Sequence, residues 1–524
     1  MDRVGIIDIG PSSLRLMLTE VNENGYFKII DELKTSIRLC HDIVTDYSIC
    51  NESFKTIIST LKAYKSLCTV SGASKIFAVA TESLRDAKNK DILLPLIKKE
   101  LNIDIRVLSC DEEIHYNFLG VRRSMYIENS LLVEVAGTDT HLAWVQDNKI
   151  IKSVTIPLGS VNLTYNFNLN NRVLPQNLTS ALDCVASSLE EVDWLRETKF
   201  ESIIGIAAII RNVGKINRVR KRYPLDIPHN YELADIDVQE IFNLLKCKDY
   251  KQRQKLEGVD PTLADIIVGG TAIFKKVANM VQCSKIIISS RGLREGLIYE
   301  YLNDNYSIQS DILDYSIDGI LNTLNCDKSH AKNVFNITYS LFNALKPLHH
   351  LGDEFYNIIK TSSMLHDCGI SINYAGHHKH SFYIILHSHI NGLTHKELLM
   401  SAAIAASHRF NSYQTPISPF SAIINQLDLR TIKLIGVLVK IAEGLDRSLV
   451  GAVKDLTLSY DNETVTISVY SDIDVDFEIR QALRASEKFK EIYGRELIIK
   501  SVWIKKIGCI KIFWYILISL EENP

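Results

Sequence analysis

The chain lacks the marks of several protein classes. Its ten cysteines include no C-x-x-C pair, which argues against a zinc ribbon or a thioredoxin-like motif. No Gly/Ser, Pro or Gln tract interrupts it, so extended disorder is not expected. The formal net charge is only -3, which argues against a protein that coats nucleic acid. No apolar run reaches the ~20 residues of a membrane span. The nearest, Ile507 to Leu520, is short, contains Lys511 and reads as a terminal strand or docking segment. Met1-Asp2-Arg3 opens no signal peptide, so free thiols in a reducing cytoplasm are expected, with no membrane partner.

What is present points to an ordered, multidomain chain. With 524 residues, 46% hydrophobic and 23% charged, it exceeds one core and suits about three or four domains. Val4-Gly5-Ile6-Ile7-Asp8-Ile9-Gly10, then Pro11-Ser12-Ser13, then Leu14-Arg15-Leu16-Met17-Leu18 read as strand, tight loop and strand. A related pattern returns at Leu131–Trp144, with Asp8 opposite Glu134 and Gly10 opposite Ala136. Two such hairpins far apart predict a duplicated lobe facing a cleft. A loop of Gly and small hydroxyl residues turns backbone N–H groups inward as an anion nest, and an adjacent carboxylate holds a divalent ion. Asp8, Gly10, Ser12 and Ser13 fit that description, and Arg15 adds a charged fork. A second basic feature, Lys215, Arg218, Arg220, Lys221 and Arg222, reads either as a wall for a polyanion or as a solvated helix end.

From about Ser310 apolar residues recur at helical spacing, and eleven of the fifteen histidines fall between His330 and His408. Alternation returns at Leu456–Tyr460 and Val465–Val469, around Asp461–Thr464, as a β-hairpin.

The order of segments is more specific than any one of them. DIGPSSLRL at 8–16, ATESLRDAKN at 80–89, LSCDEEIHYNFLGV at 108–121, YPLDIPHNYEL at 223–233, and DIIVGGTAIFKKV with IIISSRGLREGLIYEYL within 265–303 together resemble the exopolyphosphatase/guanosine pentaphosphate phosphohydrolase family. The resemblance implies an α/β fold of duplicated actin-like ATPase (ribonuclease H-like) lobes and Mg²⁺-dependent attack of water on a terminal phosphoanhydride. It implies Glu113, with Glu112 next, as general base. Arg15 and Arg85 would contact phosphate together with Gly10, Ser12, Ser13, Gly137 and Thr138, while Asp8 and Glu134 would hold Mg²⁺. The implied partner is inorganic polyphosphate or guanosine pentaphosphate, and the implied assembly a homodimer. The expected divisions are lobe I at 1–125, lobe II at 126–305, an all-α domain at 306–450 and a small α+β domain at 451–524.

The chain departs from the family pattern. Pro11-Ser12 stands where Ser-Asn is usual, and proline removes an N–H. D-x-G-G-G-S-T-E reads Glu134-Val135-Ala136-Gly137-Thr138-Asp139-Thr140-His141, and G-x-G-G-T-x-R reads Gly205-Ile206-Ala207-Ala208-Ile209-Ile210-Arg211. Glycines that allow close approach and positive φ are lost. Hydrolysis in the cleft therefore stands beside an alternative, a weakened phosphate sensor with its active or regulatory centre in the helical domain.

That domain resembles metal-dependent HD phosphohydrolases in His330, His366-Asp367 and Asp446, an early histidine, a contiguous His-Asp pair and a late aspartate. Such N and O ligands suit Mn²⁺, Fe²⁺, Co²⁺ or Zn²⁺. His377, His378, His380 and His408 lie between them and read either as further metal or phosphate contacts or, for most of them, as ordinary hydrogen-bonded side chains.

Overall fold

A computed structural model describes residues 1–39, 42–43, 47–409 and 418–504. The apolar segment Ile507–Leu520 lies outside the described residues. The chain divides into two compact units, 1–312 and 313–524. The two expected lobes both fall in the first unit, and the helical region and the C-terminal sheet both fall in the second.

In the first unit, β1 (Asp2–Ile9), β2 (Ser13–Val21), β3 (Phe27–Ser36), β4 (Lys75–Ala80) and β5 (Ile105–Val107) form a sheet in the order β3-β2-β1-β4-β5. The continuous apolar run of β1 follows from its central place, where Val4, Ile6, Ile7 and Ile9 are all buried. A second sheet contains β6 (Ser130–Val135), β7 (Thr140–Gln146), β8 (Lys149–Ile156), β9 (Ser202–Ile206), β10 (Tyr231–Ala234) and β11 (Lys285–Ile288). Its order, β10-β11-β9-β6-β7-β8, repeats the first sheet with one antiparallel edge strand added.

The duplication holds residue by residue. Asp8 pairs with Arg15 across the first hairpin, and Glu134 with His141 across the second. Gly10 N–H donates to the Ser13 carbonyl at 3.1 Å, and Ala136 N–H to the Asp139 carbonyl at 3.0 Å, closing the same turn twice. Neither Ala136 nor Thr138 adopts positive φ, so these replacements of glycine carry no backbone strain. Ala207 does, at φ 71°. A left-handed alanine costs about 1–2 kcal/mol, and glycine returns part of that gain as unfolded-state entropy. Ala207→Gly is expected to raise stability by roughly 0.5–1 kcal/mol, read as a higher urea midpoint.

Two helices carry cleft residues past each other at glycine. A Cβ on Gly296, in the helix Leu293–Asn305, would lie 2.0 Å from the carbonyl oxygen of Tyr116 in the helix Cys110–Arg122. A Cβ on Gly120 would lie 2.3 Å from the Gly292 carbonyl oxygen. Only hydrogen at these positions permits the crossing that brings Glu113 and Arg294 to one cavity.

The basic cluster is a helix end. Arg218 is buried, lies over the Tyr231 ring and pairs with Asp226, Lys221 sits 2.7 Å from Asp237, and Arg220 is 3.8 Å from Glu240. Of the two readings the helix end is the one found, with acids beside Arg218, Arg220 and Lys221.

From Ile312, the last residue of the first unit, through the second unit to Leu445 the elements are helical among the described residues. They are followed by β12 (Asp455–Tyr460) and β13 (Thr464–Ser471), the expected hairpin, and by β14 (Glu496–Trp503), parallel to β13. The helix Gln426–Leu445 packs so closely on Asp476–Ala482 that a Gly444 Cβ would meet the Ala482 backbone at 2.5 Å. No helix among the described residues is long and apolar enough to cross a membrane.

Candidate functional site

The loops at the ends of β1, β6 and β9 line one cavity with Glu82, Glu113, Asn117, Arg294 and Glu295. Of the predicted residues, Asp8, Gly10, Ser12, Ser13, Arg15, Glu113, Glu134 and Gly137 line it, whereas Arg85, Glu112 and Thr138 do not.

Glu112 begins a helix. Its carboxylate accepts the Ser109 N–H at 2.8 Å while Ser109 Oγ accepts the Glu112 N–H at 3.2 Å, a reciprocal cap. Its side chain also pairs with Arg106, and the Ser109 and Arg106 bonds hold its carboxyl below the usual range. Glu112 is thus corrected from reserve base to helix cap. Its neighbour Glu113 is 3% exposed and turned inward. One oxygen accepts from Arg85, and the other lies 3.8 Å from His141 Nε2. Arg85 also donates to Asp139 Oδ2 at 2.9 Å. Arg85 is therefore a brace between two carboxylates rather than the expected phosphate contact.

Part of each backbone nest is committed as well. The Gly10 N–H closes its own turn, and Pro11 has none. Glu82, fully buried, accepts from Gly137 N–H at 2.7 Å, Thr138 N–H at 3.1 Å and Thr138 Oγ1 at 3.3 Å. The donors assigned to phosphate at Gly137 and Thr138 hold an internal carboxylate instead. Burial, then repulsion from Glu113 and Asp139, pushes the Glu82 carboxyl up to about 8. Stability from its raised pKa is fully present below the ordinary 4.5 and lost as pH rises through about 8. Glu82→Gln cannot lose that proton, so its urea midpoint is expected to gain on the wild type progressively from pH 4.5 to 8. A constant difference across that range would refute the assignment.

Positive charge comes from three guanidiniums. Arg15, Arg211 and Arg294 line the cavity, and Arg211 donates to the Ser290 carbonyl at 3.3 Å while Arg294 reaches Glu32 Oε1 at 2.7 Å. Burial first, then Arg15 and Arg294, lowers Arg211 to about 10. Arg15 is lowered for the same reasons, burial and then Arg294. Arg294 is raised instead, because Glu295, Glu32 and Asp8 outweigh its burial, so an added anion would chiefly relieve Arg15 and Arg211. His141 adds a fourth: burial opposes its charge, but Glu113 and Glu134 raise it to about 9. Where the family pattern has a glutamate this chain has His141, whose acidic neighbours favour its charged form. Arg294 lies in a segment that carried the resemblance and Arg211 ends one that departs from the family pattern, but nothing in their spacing marked them as facing one cavity.

In the second unit, His330 Nε2 lies 3.0 Å and His366 Nε2 3.3 Å from Glu443 Oε2, and Asp367 Oδ2 lies 3.8 and 3.7 Å from the same nitrogens. These four residues form one metal-type group. Asp446 stands behind it, accepting from His330 Nδ1 at 2.8 Å and from Gly451 N–H at 3.0 Å. Glu443 thus stands in this group where Asp446 was expected. Asp446 caps the helix end and faces the ring's far nitrogen, whereas Glu443, nearly one turn earlier with a longer side chain, reaches the near one.

Comparison with known proteins follows the same division. Residues 18–305 match the Ppx/GppA phosphatase family, and residues 312–481 match Ppx/GppA phosphatase, domain III. The chain belongs to the Ppx/GppA phosphatase family. A guanosine-5'-triphosphate,3'-diphosphate pyrophosphatase of Aeromonas hydrophila is 23% identical over 469 residues, 89% of this chain and 92% of that protein. A bifunctional 3-dehydroquinate synthase/phosphatase of Fusobacterium nucleatum is 29% identical over 307 residues, 56% of this chain, and the match spans only 46% of that protein. The crystal structure of an Aquifex aeolicus Ppx/GppA family member superimposes with a TM-score of 0.52 at 27% identity, covering 58% of this chain and 99% of that one. The family fold, of the actin-like ATPase type, accounts for the repeated sheets.

Proposed function

We propose that the cleft of the first unit hydrolyses the terminal phosphoanhydride of inorganic polyphosphate or guanosine pentaphosphate. The observation that carries this reading is the convergence of Arg15, Arg211 and Arg294 on the cavity that also holds Glu113. The guanidiniums bind the terminal phosphate oxygens by charge-assisted bonds. Glu113, one oxygen fixed by Arg85, takes a proton from water as the water oxygen bonds to phosphorus and the bridging P–O bond breaks. The shortened chain or nucleotide leaves with the bridging oxygen.

A divalent cation fits this cleft, because Asp8 Oδ1 is shielded from solvent with no hydrogen-bond partner. Asp8 and Glu134 would hold Mg²⁺, which would supply charge neutralisation on the phosphates. The Asn117 amide, donating to Glu134 Oε2 at 2.6 Å, orients that carboxylate.

The test is phosphate release by the purified chain with Mg²⁺, comparing long polyphosphate, guanosine pentaphosphate and a cyclic dinucleotide. Release from one of the first two is expected, and release from neither overturns the reading. The occupation of the Gly137 and Thr138 donors by Glu82 favours the alternative of a sensing cleft. It predicts binding of the same anions, weakened by salt, without turnover.

A further inference from the structure

The loop after β6 is held from behind. Ser160 N–H and Oγ donate to the Ala136 carbonyl at 2.9 and 2.8 Å, and Val161 N–H donates to the Gly137 carbonyl at 2.8 Å. A carbonyl and the N–H of the following residue point in opposite directions across a trans peptide plane. Fixing the Ala136 and Gly137 carbonyls therefore aims the Gly137 and Thr138 N–H groups the other way. Asn162 Nδ2 adds an anchor, donating to the Thr138 carbonyl at 2.7 Å, and Gly159 lies so close that a Cβ there would stand 2.3 Å from the Gly137 carbonyl oxygen. Two successive N–H groups aimed one way make a site for an anion.

The group in that site is a side chain. Glu82 opens the short helix Glu82–Asp86 after β4, and its two oxygens take the Gly137 N–H, the Thr138 N–H and the Thr138 hydroxyl. Two amides and a hydroxyl on a pair of oxygens is also how a phosphate group is held. The carboxyl fills the place at a cost, since burial, Glu113 and Asp139 all oppose its charge. Glu82 and Gly137 both line the cavity that contains Arg15, Arg211 and Arg294, so their contact opens onto the space where the guanidiniums meet a ligand. Arg85, on the same helix, donates to Asp139 Oδ2 at 2.9 Å and ties helix to loop without Glu82.

We propose that Glu82 is a displaceable stand-in for phosphate: it keeps the Gly137 and Thr138 donors closed until a ligand with two linked phosphates, one of them on the guanidiniums, replaces it with the other. Glu82 is thereby a specificity-determining residue. Orthophosphate, a single group, binds at the guanidiniums and leaves the contact closed, whereas an anhydride opens it. The exchange is favoured by charge, because a phosphate oxygen accepts the same N–H bonds more strongly than a carboxyl whose ionised form is opposed. This inference rests on the reading of the cleft as a phosphoanhydride site, and it holds whether the anhydride is cut or only bound.

The test reads binding rather than turnover. The probe is imidodiphosphate, a pyrophosphate analogue whose P–N–P bridge resists hydrolysis, compared with orthophosphate by calorimetry on the full chain with Mg²⁺ in every arm. Glu82→Ala is expected to bind imidodiphosphate at least about tenfold more tightly than wild type and orthophosphate within about threefold of it. No gain, or equal gains for the two anions, overturns the inference. Hydrogen exchange separates freed donors from a changed charge. The Gly137 and Thr138 amides should exchange fast in ligand-free Glu82→Ala and slowly once imidodiphosphate is bound, and fast exchange in the complex overturns the inference. A crystal structure of the wild type with imidodiphosphate, which needs no variant, should show phosphate oxygens on both amides in place of Glu82. Binding with the Glu82 contact intact sinks this inference alone, whereas no binding by wild type or variant sinks the phosphoanhydride reading with it.

Discussion

Glu113→Gln is expected to lower phosphate release by about 10²–10⁴-fold, the usual cost of losing a general base, while leaving anion affinity nearly unchanged. Glutamine keeps the side chain's size and an oxygen that accepts from Arg85, so cavity shape and the Arg15, Arg211 and Arg294 contacts persist. The loss should therefore fall on kcat, with KM steady. Calorimetry with a non-turned-over polyphosphate, alongside steady-state phosphate release, separates the two. Wild-type kcat in the variant would assign the base to another group. Glu112 would not be the next choice, since it caps the helix and pairs with Arg106.

Arg85→Ala is expected to destabilise the first unit by about 3–5 kcal/mol, the typical result of removing one partner of a buried ion pair. Arg85 compensates both Glu113, 3% exposed, and Asp139, and its loss leaves two carboxylates close together with only His141 to balance them. Charge around the brace favours its own ionised form: burial opposes it, but Glu113 and Asp139 win and raise Arg85 above the ordinary arginine range. Urea unfolding followed by a first-unit probe measures the effect. If Arg85 were chiefly a phosphate contact, the variant would keep its unfolding midpoint and lose affinity instead.

Much of the site was legible as a list and little of it as an arrangement. The strand-turn-strand patterns at Asp8 and Glu134 carried the duplication because alternation and turn residues are local properties, and the structure repeats even the turn hydrogen bonds. The acidic run Asp111-Glu112-Glu113 contained two roles one residue apart. A helix rotates successive side chains by about 100°, so Glu112 meets the cap and Glu113 the cleft. Ser109 three residues before Glu112 was a readable signal of that split. Glu82 carried no such signal, because its partners Gly137 and Thr138 are more than fifty residues away.

The same contrast holds in the helical unit. The His366-Asp367 pair was legible because adjacency in the chain is adjacency in space, and it falls just past the helix Tyr356–Met364 as expected. The choice of Glu443 over Asp446 was not legible, since both stand on one side of the helix end and only the position of His330 ranks them.

The sequence by itself determined the family, the duplicated strand-loop-strand plan, the helical character of the second half and the chemical types available to each site. All of these rest on local pattern or on the order of segments along the chain. Only the tertiary structure decided that Arg85 braces rather than binds, that Glu82 fills the second loop's donors, that Arg15, Arg211 and Arg294 face one cavity, and that His330 and His366 meet Asp367 and Glu443. Each is a pairing across long stretches of chain, and electrostatic roles are set by which charges burial brings within a few ångströms of one another, which no local pattern encodes.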